Sequence, residues 1–225
     1  MIERTSQRID ALNAGATGSV TLGVVSTGKY FAPGIVANFR QHHPEIRVRL
    51  SIGNRTEIIK GLERREYDLL IMGRPPAHVA VDREVLGDHP HVLVAAPDHP
   101  LVGDPEILPE DLLRETFLAR EEGSGTRILM TRFLDRIGGG RTFNMVEMGT
   151  NETIKQAVMA GLGVAIISAH TCHSELEEGK LATLQVQGLP LVRQWFLIHR
   201  SDRALTKAAE VLRRFIIGHK GEMLP

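Results

Sequence analysis

Lys29, Arg55, Arg74 and Arg127 are the residues of this chain whose type and placing most readily suggest chemistry. Each follows an apolar run of strand character or opens a stretch of helical character. Cations at such positions suit recognition of an anion, and arginine can grip phosphate or carboxylate with two parallel hydrogen bonds. Small polar residues accompany them. Ser26 and Thr27 precede Lys29, Asn54 and Thr56 flank Arg55, and Ser124, Gly125 and Thr126 lead into Arg127. Thr150 and Asn151 open a further helical stretch after Gly149. Hydroxyls and free backbone N–H groups at a helix start can hold an anion with the help of the helix dipole. Plain helix capping competes with that explanation for Ser26, Thr27, Asn54 and Asn151. For Arg74 the competitor is an exposed side chain before two prolines. Arg127 falls in a first helical turn, where a positive charge is unfavourable unless Glu121 or a ligand offsets it.

Other chemistries find less support. The phosphate-loop spacing G-x-x-x-x-G-K-[ST], the nucleophile elbow G-x-S-x-G and the metalloprotease pattern H-E-x-x-H are all absent, so no catalytic residue is assigned. His170, Cys172 and His173 bring three potential ligands together, but no partner pair stands at a zinc spacing, and neither a metal nor a cofactor is expected. His89, His91 and His99 read as turn and surface residues.

The elements that position these residues alternate between strand and helix. Val20–Val25 is a strand, followed by a helix from about Gly28 to Gln41 with Pro33 in its first two turns. Ile46–Ile52 is a strand, Asn54 caps a helix to about Arg65, and Asp68–Met72 is a third strand. Val85–Ala96 is a long strand. A second series then follows: a short helix at Pro109–Leu113, a strand at Thr116–Ala119, a helix at Ser124–Ile137, a strand at Phe143–Met148, a helix capped by Asn151 and a strand at Val164–Ile167. A helical turn at His170–Glu178, an edge strand at Leu181–Val186, a strand at Val192–His199 and a helix at Ala204–Ile217 complete the chain. This is an α/β fold of two Rossmann-like lobes with parallel strands and right-handed crossovers. The chain leaves the first lobe near Gly87 and returns near Pro190, giving two crossover segments. Such folds bind small ligands between the lobes, at the carboxyl ends of strands. Ile2–Ala14 reads either as a short helix, with Ile2 and Ile9 one heptad apart as at the end of a coiled coil, or as a frayed terminal segment, ahead of a linker at Ala14–Gly18.

Composition narrows the function. Twenty-seven acidic and twenty-seven basic residues give a formal charge of zero, which argues against a general nucleic-acid-binding surface. The single cysteine, Cys172, excludes an intramolecular disulfide and fits a reducing compartment, so a cytoplasmic location is expected. No apolar run approaches the length of a membrane span. Aromatics at 4% weaken any reading that needs stacking platforms for sugars or single strands.

Several stretches resemble the effector-binding domain of LysR-type transcriptional regulators. GSVTLGVVSTGKYFAP (18–33), PEIRVRLSIGN (44–54), YDLLIMGRPP (67–76) and VLVAAPDHPL (92–101) follow that family's order, as does TNETIKQAVMAGLGVAIIS (150–168). The wording TGKYFAP and LAREEGSGTR is closest to the regulators of carbon-dioxide-fixation (RuBisCO) operons. The resemblance implies a type II periplasmic-binding-protein-like fold, with the end of a linker helix at 1–17, lobe I at 18–88 and 191–225, and lobe II at 89–190. It also implies effector contact at the Ser26–Lys29 turn and a non-enzymatic role in controlling transcription. A small anionic, phosphorylated metabolite is the expected effector: a sugar phosphate, a nucleotide or a reduced nicotinamide phosphate. Lys29, Arg55, Arg74 and Arg127 are expected to converge on it. A homodimer is expected, with a tetramer possible for the whole protein. DNA binding is expected to belong to a winged helix-turn-helix ahead of Met1. The alternative is a solute-binding protein of a transport system.

Overall fold

The computed structural model describes residues 17–224, and the helix or frayed segment read over Ile2–Ala14 lies outside them. The described residues fall into two compact units. The first runs to Asp88 and resumes at Gln194, and the second is His89–Arg193.

β1 (Gly18–Val25) buries Val20, Leu22 and Val24 completely. A 3₁₀ turn over Ser26–Tyr30 follows, then α1 (Ala32–His42). The helix expected from Gly28 therefore starts later. Pro33 lies in the first turn of α1, where its missing N–H is harmless; in a helix begun at Gly28 it would fall where an N–H is needed. β2 (Ile46–Gly53) pairs with β1 in parallel from Gly18↔Ile46 to Val25↔Gly53. α2 (Arg55–Glu63) begins at Asn54 with a reciprocal capping box: Glu57 N donates to Asn54 Oδ1 at 3.0 Å and Asn54 N donates to Glu57 Oε2 at 2.7 Å. β3 (Leu69–Met72) is buried throughout and runs parallel to β1 on its other side.

β4 (Val81–Ala95) begins at Val81, ahead of the expected Val85, and carries the chain across the boundary at Asp88. In the second unit α3 (Pro109–Leu112) precedes β5 (Thr116–Arg120) and α4 (Gly125–Gly138). Gly139 ends α4 with φ 57°, the left-handed conformation that glycine adopts without steric cost. β6 (Asn144–Met148) pairs with β5 in parallel. α5 (Asn151–Met159), β7 (Ala165–Ser168) and α6 (Ala169–Glu177) follow. β7 lies antiparallel to the second half of β4, from His91↔Ser168 to Val94↔Ala165. The edge strand expected over Leu181–Val186 shortens to β8 (Ala182–Thr183), because Leu184 and Val186 turn into the core beside Leu93 and Phe133. β9 (Leu191–Arg200) returns the chain to the first unit, where it pairs antiparallel with β3, and α7 (Lys207–Gly218) ends the fold.

Each unit has its own core. In the first, Trp195 is fully buried with Phe31 edge-on at 5.1 Å, and Phe39 meets Phe215 at 5.2 Å. In the second, Phe117, Met130, Phe133 and Leu134 pack with Leu93, Val164 and Ile166.

Candidate functional site

The sequence-derived candidates divide between the units, and each set stands at strand ends. In the first unit Ser26 and Thr27 lie in the 3₁₀ turn after β1. Val25, not a hydroxyl residue, occupies the cap position, and no side chain caps the turn. Thr27 is buried, and Lys29 Nζ sits 5.5 Å from the centroid of the Tyr30 ring. Asn54 spends its side-chain oxygen on the α2 cap, and Thr56 is exposed in the first turn.

Arg55 and Arg74 are brought together. Arg55 Nη1 donates to the Arg74 backbone oxygen at 2.6 Å. Burial, and then the Arg74 charge, hold the Arg55 guanidinium below its ordinary pKa. No carboxylate among the described residues pairs with either arginine. Two neighbouring cations without an acid form a natural seat for an anion.

The second unit is built differently, because the cations at its strand ends, Arg120 and Arg127, already have acids. Arg127 Nη1 donates to the Glu147 carboxylate and, at 3.3 Å, to the Arg120 backbone oxygen. The charge in the first turn of α4 is therefore offset by Glu147 from the neighbouring strand, and neither Glu121 nor a ligand is required. Ser124 stands at the cap position of α4 without a side-chain cap bond, Gly125 is the first helical residue, and Ser124 and Thr126 are buried.

Asn151 is not the cap of α5. Thr150 takes that place, its Oγ1 accepting from Thr153 N at 3.1 Å, and Asn151 is the first helical residue. The Asn151 side chain is drawn inward by an arginine that sequence reasoning missed. Arg120, at the end of β5, is 4% exposed, and its Nη1 donates to Asn151 Oδ1 at 2.6 Å. Arg120 Nε and Nη2 also donate to the two carboxylate oxygens of Glu121, at 2.7 and 2.9 Å. A cation closing the apolar run TFLAR, with Glu121 directly after it, was the available signal.

The histidines also depart from expectation. His89 and His91 are 5% and 2% exposed rather than on the surface, because β4 runs unbroken through them and turns both inward. Their ring centroids are 4.2 Å apart, and His170 stacks on His89 at 5.9 Å. Burial is the main force lowering the pKa of all three, and it takes His91 down to about 4. Cys172 is buried, and burial raises its thiol to about 12. Among the described residues no three His, Cys, Asp or Glu side chains group as metal ligands. A cavity of about 670 Å³ in the first unit, lined by Asp82, His199, Arg203, Arg213 and Arg214, contains none of the expected site residues. No helix among the described residues is long and apolar enough to cross a membrane.

Two α/β units threaded by β4 and β9, with cations and hydroxyls at their strand ends, define a ligand-binding fold of the type II periplasmic-binding-protein kind. Residues 13–220 match the family described as the LysR substrate binding domain. The chain is 50% identical over 225 residues to the HTH-type transcriptional regulator CbbR of Cereibacter sphaeroides, covering all of this chain and 73% of that protein. It is 42% identical over 215 residues to the RuBisCO operon transcriptional regulator of Allochromatium vinosum, covering 96% of this chain and 71% of that one. Among solved structures, the CcmR regulatory domain of Synechocystis PCC6803 in complex with 2-PG aligns with a TM-score of 0.86 at 31% identity, over 92% of this chain and 99% of that one. The chain belongs to the LysR-type family of transcriptional regulators, which are not enzymes. These relatives set aside the transport-component alternative.

Proposed function

We propose that this domain senses a small anionic, phosphorylated metabolite and thereby controls transcription by the whole protein. The observation that carries this reading is the Arg55–Arg74 pair, two adjacent cations with no carboxylate partner among the described residues. The contacts proposed in the first unit are Ser26, Thr27, Lys29, Asn54, Arg55, Thr56 and Arg74. Those in the second are Ser124–Arg127, Thr150 and Asn151. The similarity to CcmR, whose structure holds 2-PG (2-phosphoglycolate), supports a phosphorylated effector of that size. Occupancy changes the regulator only to the extent that the effector binds one conformation better than another.

A thermal-shift panel of phosphorylated central metabolites, with 2-phosphoglycolate included, tests the reading. A ligand at 100 times its Kd stabilises the fold by about 2.7 kcal/mol, which for a chain of this size raises Tm by about 5 to 10 °C. Arg55→Ala should remove most of that shift and leave the unliganded Tm nearly unchanged. A panel without any shift, or a shift undiminished in Arg55→Ala, contradicts it.

A further inference from the structure

Arg120 and Glu121 form a pair whose geometry is that of ligand capture and whose members are neighbours in sequence. The guanidinium presents Nε and Nη2 to both carboxylate oxygens at 2.7 and 2.9 Å. This two-pronged arrangement is how arginine seizes a carboxylate or a phosphate from outside the chain. An ion pair between residues i and i+1 joins no two elements, so Glu121 serves the fold by offsetting the buried Arg120 charge, a service that any anion in the fork could give. The pair is also graded in depth: the Arg120 side chain is 4% exposed and that of Glu121 is 23% exposed. The cation is inside, and the anion is the member that water reaches.

A second observation points to an absent acceptor. Asn151, 1% exposed, gives its Oδ1 to Arg120 Nη1, while its Nδ2 is buried without a hydrogen-bond partner among the described residues. A buried amide donor is normally satisfied. The Glu121 carboxylate has two oxygens, and both are on Arg120. A phosphate offers a third oxygen, able to serve the Asn151 amide while two others fill the arginine fork. Asn151 is also the first residue of the nine-residue helix α5, whose N-terminal dipole favours negative charge.

We infer that Arg120 and Asn151 form a phosphate seat held in cis by Glu121, and that a phosphoryl group displaces the Glu121 carboxylate from the guanidinium. Within the proposed effector reading, on which the identity of the natural ligand rests, this assigns the phosphoryl end of the metabolite to the second unit. It also makes Glu121 a competitor that sets the threshold for response.

The experiment is a calorimetric titration at fixed ionic strength, with inorganic phosphate and 2-phosphoglycolate as probes. It compares the unaltered chain, Glu121→Gln, and the double variant Arg120→Met/Glu121→Gln. Glu121→Gln should bind inorganic phosphate at least tenfold more tightly than the unaltered chain, and the double variant should lose that gain. A folded Glu121→Gln with unchanged or weaker phosphate binding overturns the inference, as does a gain that persists in the double variant. Should Glu121→Gln fail to fold alone, its recovery by phosphate but not by chloride at the same ionic strength supports the seat; recovery by both or by neither overturns it. The two readings fail separately. If the unaltered chain binds 2-phosphoglycolate while Glu121→Gln gains nothing, this inference alone falls. If Glu121→Gln gains phosphate while no metabolite binds the unaltered chain, the seat stands and the effector reading falls.

Discussion

His89 and His91 are held neutral inside the second unit. The His89 backbone oxygen faces His91 Nδ1 at 3.1 Å, and it and the Leu191 backbone favour the charged ring, yet burial outweighs both and brings His91 down to about 4. The charges of Arg193 and His170 press the same way, and His173 acts in turn on His170. An unfolded histidine takes its proton near pH 6.5. The folded pKa is the lower one, so the stabilisation is present above about pH 6.5 and is lost as pH falls towards 4. For His91 alone this amounts to about 2 kcal/mol between pH 7 and pH 5. Urea unfolding at the two pH values should show lower stability at pH 5, and His91→Gln should reduce the difference; equal stability at both pH values contradicts the burial argument. Residue type alone puts this cluster at the surface, because a polar ring suggests exposure, and the structure buries it. The alternation His89, His91, Leu93, Ala95 held the opposite message, since it puts both rings on the face that carries two buried apolar residues.

Most elements were legible from pattern and punctuation. Asn54 followed three residues later by Glu57 is a cap signature, and the structure forms both of its hydrogen bonds. Where two cap-competent residues stand together, as Thr150 and Asn151 do, local preference cannot choose. The choice was made by Arg120, which lies 31 residues before Asn151 and takes its oxygen. The sequence pattern alone starts α1 too early, because a helix from Gly28 sets Pro33 in its second turn, whereas Pro33 belongs in the first. The Gly161-Leu162-Gly163 turn before β7 offers a test at this scale. A Cβ at Gly163 would stand 2.2 Å from the Thr116 backbone oxygen, the atom that accepts from Val164 N at 2.9 Å. A Cβ at Gly161 would meet nothing within 4 Å, although φ is 76° there. Gly163→Ala should therefore cost about 2 to 3 kcal/mol, from overpacking and a displaced β5, against about 1 kcal/mol for the left-handed strain of Gly161→Ala. Denaturant midpoints of the two variants check this ordering, and equal or reversed costs contradict it.

For the whole molecule, the α/β class followed from two successive strand–helix series, and the family from the order of its motifs. What the sequence withheld was which charges are already satisfied. Arg127 looked as available as Arg55. The difference is tertiary: β6 lies beside β5 and brings Glu147 to Arg127, while the loop after β3 brings Arg74 to Arg55. The central claim, that this regulatory domain binds a phosphorylated metabolite through residues at its strand ends, is tested most directly by amide hydrogen exchange. The chain is compared with and without the panel metabolite that gives the largest thermal shift. The account predicts slowed exchange at 26–29 and 54–56 in the first unit and at 120–127 and 150–153 in the second. Slowing confined to other segments, such as 199–214 around the Arg203 and Arg213 cavity, or unchanged exchange throughout, would contradict it.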